Sequence, residues 1–91
     1  IEEVSRGTLT ASLFEPRAIL QGALLTNAAA LIMVHNHPSG DPSPSQSDHS
    51  LTRRLAEAAE LLQIKLLDHI IIGAPAEGRL PYFSFKEAGV L

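Results

Sequence analysis

The stretch Ala29-Ala30-Leu31-Ile32-Met33-Val34-His35-Asn36-His37-Pro38-Ser39-Gly40-Asp41-Pro42-Ser43-Pro44-Ser45-Gln46-Ser47-Asp48 passes from an unbroken apolar run, through a proline-rich segment, to the start of an amphipathic pattern. A continuous hydrophobic run from Ala29 to His35 reads as a strand covered on both faces, and so as a central strand. Asn36 to Pro44 holds three Pro, one Gly and two Ser in nine residues. That composition excludes a regular element and predicts a loop. Beyond it, Leu51, Leu55, Ala58, Ala59 and Leu62 recur at helical spacing, with Arg53, Arg54, Glu57 and Glu60 elsewhere on the wheel. This predicts a helix from about Ser47 to Leu62 with one face packed on a sheet.

The flanks extend the same alternation. Ile1–Ser5 and Leu9–Phe14 lean to β structure on either side of Arg6-Gly7-Thr8, where glycine suits a turn or bulge. Pro16 suits the first position of a helix; Ile19, Leu20, Ala23 and Leu24 keep helical spacing until Asn27 supplies a stop. Ile64–Leu67 and Asp68–Gly73 read as one or two strands and Tyr82–Phe85 as another, with Ala74–Pro81 as the intervening loop. Strands alternating with helices predict an α/β sandwich with a mixed sheet.

Composition bounds the function. Ninety-one residues leave room for one small domain, 1–91. The longest apolar run, Ala28–Val34, falls far short of the roughly 18 to 20 residues of a membrane span, and no signal peptide opens the chain, so a soluble, cytoplasmic protein is expected. The chain starts at Ile1 in what reads as a strand, which points to a fragment of a longer polypeptide. Absence of cysteine removes disulfides, thiol catalysis and every cysteine-based zinc site. A net charge of −3, from seven basic and ten acidic residues, provides no positive field to hold a polyanion, and DNA binding by this stretch is not expected.

Chemistry concentrates in His-x-His, seven residues, then Ser-x-x-Asp. Residues two apart on a strand point the same way, so a strand ending at His37 aims His35 and His37 to one side. The loop then returns the chain so that Asp48, in the first turn of the next helix, can add a carboxylate oxygen. Two imidazoles and one carboxylate leave a fourth tetrahedral position open, as in a catalytic zinc site. The alternative is local: Ser45-Gln46-Ser47-Asp48 is also a capping box, and the two histidines can be ordinary junction residues. His69 suits a supporting or packing role, and His49, about 100° round the axis from Asp48, is expected to face solvent. Ser39 and Asp41 fit turn formation, with substrate contact as the alternative; Arg53 and Arg54 fit a solvated charged face.

His35-Asn36-His37-Pro38-Ser39-Gly40-Asp41-Pro42, with Pro44-Ser45 and Asp48, resembles the JAMM motif of JAB1/MPN metalloproteases in the form typical of the bacterial RadC family. Ser5-Arg6-Gly7-Thr8-Leu9, Leu67-Asp68-His69-Ile70-Ile71-Ile72-Gly73 and Tyr82-Phe83-Ser84-Phe85 with Glu87-Ala88-Gly89 extend the resemblance over nearly the whole chain. It implies a JAB1/MPN domain, a cytidine deaminase-like α/β/α sandwich lacking its first strand in this stretch. It further implies one catalytic zinc held by His35, His37 and Asp48, Ser45 placed to stabilise an oxyanion, and an upstream glutamate as general base, Glu2 in preference to Glu3. The expected activity is a zinc-dependent metallopeptidase or isopeptidase acting on a peptide or protein. The competing class is a non-catalytic metal-binding accessory domain associated with DNA repair. Phosphodiester hydrolysis is disfavoured by the shortage of carboxylates for a two-metal site, and a zinc deaminase by the missing cysteines.

Overall fold

The computed structural model describes the backbone of residues 2–5, 7–11 and 15–91, and the side chains of 7–10 and 15–91. Ile1, Arg6, Ser12, Leu13 and Phe14, which the expected N-terminal strands and turn include, lie outside the described residues. Seven elements follow in order: β1 (Glu2–Ser5), β2 (Thr8–Ala11), α1 (Pro16–Leu25), β3 (Ala30–Asn36), α2 (Gln46–Leu61), β4 (Lys65–Ile72) and β5 (Tyr82–Ser84). The five strands form one sheet in chain order, antiparallel at both edges and parallel at β2/β3 and β3/β4. The mixed α/β architecture and mixed sheet are thus as expected, with β3 at the centre. No helix among the described residues is long and apolar enough to cross a membrane.

Local chemistry fixes the boundaries. Gly7, at φ +77°, occupies the turn between β1 and β2, a left-handed backbone that glycine adopts without steric cost. Pro16 opens α1, and Asn27 at φ +55° ends it. Helix α2 starts at a complete capping box: the Ser45 hydroxyl accepts the Asp48 amide at 3.1 Å, and Asp48 Oδ2 accepts the Ser45 amide at 2.8 Å.

The strand order steps one way from β2 to β3 to β4, and α1 and α2 lie on the same face of the sheet, so the described elements show one of the two helical layers of an α/β/α sandwich. Packing agrees. Ile19 and Ala23 of α1 and Leu51, Leu55 and Ala59 of α2 share a single core with Leu9, Leu31, Met33 and Leu66 of the sheet. Each of these larger aliphatic side chains removed from water contributes on the order of 1.5–3 kcal/mol. The opposite face of β3, carrying Ala30, Ile32 and Val34, is only half-buried. The unbroken apolar run therefore overstates the cover on this strand, whose helix-facing side chains are buried while those of the other face are not. Leu62, expected in the helix stripe, is also outside the core at 43% exposure, because α2 has ended and Leu62 is its C-cap.

One irregularity in the sheet decides what the helix face contains. Leu66 pairs with Leu31, but Asp68 pairs with Ile32, so Leu67 is an extra residue in β4. An inserted residue reverses the side to which every later side chain points. In consequence His69 and Ile71, rather than Asp68 and Ile70, are buried beneath the helices.

Candidate metal centre

The site lies where β3 runs out beneath the N-terminus of α2. His35 is the last inward residue of β3, and the His37 amide prolongs the ladder by donating to the Ile72 carbonyl at 3.1 Å. Both imidazoles are thereby held near one end of the sheet, with ring centroids 5.1 Å apart. The loop after His37 is pinned to the β4–β5 connection. Gly40, at φ +87°, accepts the Ala74 amide at 2.7 Å and the Arg79 guanidinium at 3.0 Å through its carbonyl. This fixed loop delivers Ser45 and Asp48 to the histidines.

His35, His37 and Asp48 each offer one ligand atom, all within 4.8 Å of one another, and form the one such group of three among the described residues. His37 Nε2 lies 3.1 Å from Asp48 Oδ2, and His35 Nε2 lies 3.4 Å from Asp48 Oδ1. Ligand atoms about 2.0–2.2 Å from a tetrahedral zinc are separated from each other by about 3.3 Å, so the two spacings match edges of such a coordination shell. His37 Nδ1 donates to the Asp41 carbonyl at 2.9 Å, which directs Nε2 toward the site. Asp48 and His35 are buried at 4% and 7% exposure, whereas His37 forms the more open side. The donor set fits a divalent cation of borderline softness.

The electrostatics favour the same protonation states. Burial alone would raise the Asp48 carboxyl, but hydrogen bonds from the Ser45 amide and hydroxyl, together with His35 and His37, outweigh it and hold the group below its usual value. Burial pushes His35 down, against the opposing pull of Asp48, and His37 lowers it further. His69 is lowered to about 4, first by burial and then by His35, against the opposite influence of Asp48 and Asp68. Ionised carboxylate and neutral imidazole are the forms that bind metal.

Ser45-x-x-Asp48, whose sequence is compatible with a cap, a ligand or both together, is placed to be both, since a carboxylate has several acceptor positions. Oδ2 holds the Ser45 amide while Oδ1 faces His35. The Ser45 hydroxyl accepts the Asp48 amide and lies exposed beside the ligands. Ser45→Ala is expected to cost about 1 kcal/mol of stability through the lost cap. Its metal content should stay that of the parent, because the Asp48 carboxylate is held by the Ser45 backbone; thermal melts and elemental analysis of the same sample check both halves.

Glu2 and Glu3 pair with Ala11 and Thr10 in strand β1, and their side chains lie outside the described residues. Ser39 and Asp41 build the turn, with the Ser39 hydroxyl accepting the Asp41 amide and the Asp41 carboxylate accepting the Ser43 amide. Those Ser43 hydrogen bonds hold Asp41 below its ordinary value. Arg53 and Arg54 are exposed, as expected. His49 departs from the expected solvent-facing position. It does not point freely to solvent but is half-buried, edge-on to Phe85 at 5.2 Å, because the chain after β5 folds the fully buried Phe85 back against this part of the core. Thr52 was not singled out by sequence reasoning. Its signal is its position, one helical turn beyond Asp48 on the same face; it is buried and bonded to both Asp48 and His69.

The family model described as RadC-like JAB domain matches residues 1–90. A UPF0758 protein of Trichlorobacter lovleyi is 55% identical over 89 residues, covering 98% of this chain and 36% of that protein. One of Thiobacillus denitrificans is 56% identical over 92 residues, 100% of this chain and 38% of that protein, and one of Methanosarcina acetivorans is 53% identical over 88 residues, 97% and 36%. The chain spans little more than a third of the length of these relatives.

Proposed function

The chain belongs to the RadC family of JAB domains, and on that premise we propose that it is the hydrolytic domain of a zinc-dependent metallopeptidase or isopeptidase. The observation that carries this reading is the convergence of two imidazoles and one buried carboxylate within 4.8 Å, beside an exposed serine hydroxyl. Zinc bound there supplies Lewis acidity toward a carbonyl oxygen and a water acidic enough to be a nucleophile near neutral pH.

The chain's own groups do the rest. His35 and His37, neutral, and Asp48, ionised, bind the cation. The exposed Ser45 hydroxyl, next to the ligand set, donates to the oxyanion that develops on an amide carbonyl. Glu2 accepts the proton of the attacking water and returns it to the leaving amine. Neighbours on a strand face opposite sides, so one of Glu2 and Glu3 can serve, and we assign Glu2. The substrate class is peptide or protein, since the net charge of −3 opposes polyanion binding.

The test uses the intact protein, assayed with and without chelator against a peptide library and against branched DNA. About one zinc per chain and chelator-sensitive peptide hydrolysis are expected, with turnover lost in Glu2→Gln while zinc is kept. Hydrolysis of DNA alone would overturn the reading. Zinc binding without turnover of any peptide would also overturn it, in favour of an accessory role in DNA repair. Removing the metal should lower the melting temperature as well. With free zinc at about 100 times Kd the folded state gains about 2.7 kcal/mol, and this is lost on chelation. An unchanged melt would argue against a site formed only in the folded chain.

A further inference from the structure

We infer that Thr52 and His69 are positioning residues that set His35 in the tautomer needed at the metal site, with its Nε2 lone pair turned toward Asp48 before any metal arrives. The inference rests on the metal-binding reading above and extends it to a buried chain of protons beneath the site.

Counting donors fixes the direction of the chain. Thr52 Oγ1 lies 2.7 Å from the Asp48 backbone carbonyl, which can only accept, so the single hydroxyl proton is spent there. Thr52 Oγ1 must then accept from its other neighbour, His69 Nδ1, at 2.5 Å. A neutral imidazole carries one N–H, so His69 Nε2 is an acceptor, and it takes the proton of His35 Nδ1 at 2.9 Å. His35 in its neutral form is then left with its lone pair on Nε2, the nitrogen that faces Asp48. Running the chain the other way would set the Thr52 oxygen and the Asp48 carbonyl oxygen against each other with no proton between them.

The chain is built to keep that direction. Thr52 and His69 are 3% and 1% exposed, so water does not compete for their protons. Phe85 stacks on the His69 ring with centroids 4.5 Å apart and planes 3° from parallel, which stops the ring from turning over. Asp68 accepts the His69 and Lys86 amides and the Ser84 hydroxyl, locking the segment that carries Phe85. His37 needs no such chain, because the Asp41 carbonyl sets its tautomer directly.

The experiment measures ring nitrogens by long-range ¹H–¹⁵N NMR on the metal-free intact protein, at a pH where imidazoles are neutral, alongside zinc affinity by competition with a chromophoric chelator. The parent should show His35 and His69 each protonated on Nδ1. Thr52→Val removes the acceptor for His69 while keeping shape, and should mix the His35 tautomers and weaken zinc binding roughly 10- to 100-fold. Thr52→Ser should restore both. A parent protonated on His35 Nε2 overturns the inference without recourse to any variant, even should Thr52→Val fail to fold. A folded Thr52→Val with unaltered tautomer and affinity overturns it equally. Failure of the parent to bind zinc would instead strike the metal reading, and the two failures are told apart because the tautomer is read without metal.

Discussion

Asp48→Asn should abolish metal binding while leaving helix α2 in place. Asparagine has the shape of aspartate and keeps a side-chain oxygen able to accept the Ser45 amide, now held at 2.8 Å, so half of the capping box survives. The charge between the two imidazoles does not survive. Asp48 is 4% exposed and lies 3.1 Å and 3.4 Å from the two histidine nitrogens, so its charge is little screened by water. Loss of even an outer partner of a ligand weakens metal binding about 10- to 100-fold, and loss of the one anionic ligand should cost more than that. Elemental analysis after dialysis should fall from about one metal per chain to a trace, with a circular dichroism spectrum matching the parent. Full occupancy in Asp48→Asn would remove the carboxylate from the ligand set and leave two histidines, too few for the site described.

Much of this arrangement was legible in the residues. The apolar run ending in His-x-His located the central strand, and the proline count located the loop, since both depend on local backbone preferences that no distant contact overrides. The capping box was equally local, and only its second use depended on where the loop carried it. The less legible features depend on pairing between strands. The break between Leu67 and Asp68, readable as one strand or two, is a bulge within one strand, and no periodicity reveals which side His69 takes beyond it. The position of Phe85, which covers His49 and stacks on His69, likewise depends on how the last segment returns over the sheet. Thr52 looks like an unremarkable polar residue on a helix until His69 is brought beside it from 17 positions away. The half-buried outer face of β3 escaped for a related reason: hydrophobicity records what a strand can bury, and the partner that buries it lies elsewhere.

Gly73→Ala should be the most damaging of the alanine replacements at the glycines whose surroundings are described, although Gly73 is no ligand and has no left-handed backbone angle. A Cβ at this position would sit 2.3 Å from the Gly40 carbonyl oxygen, 2.7 Å from Pro42 Cδ and 2.9 Å from Pro42 N. None of these can swing aside as a long side chain would. The Gly40 carbonyl is tied to Ala74 and Arg79, and Pro42 is buried, so relief requires moving the loop itself. Overpacking of a well-filled region typically costs about 1–3 kcal/mol, and a backbone obstruction belongs at the upper end or above it. The same movement displaces the Asp41 carbonyl from His37 Nδ1, a contact of the kind whose loss weakens metal binding about 10- to 100-fold. Gly78→Ala provides the contrast. It meets no atom within 4 Å and is strained only by its φ of +76°, so it should cost about 1 kcal/mol with metal affinity untouched. Denaturant midpoints and chelator competition on the two variants separate loop displacement from general loss of stability. A Gly73→Ala protein with the parent's midpoint and affinity would show that the loop's seat against β4 does not hold His37 in place.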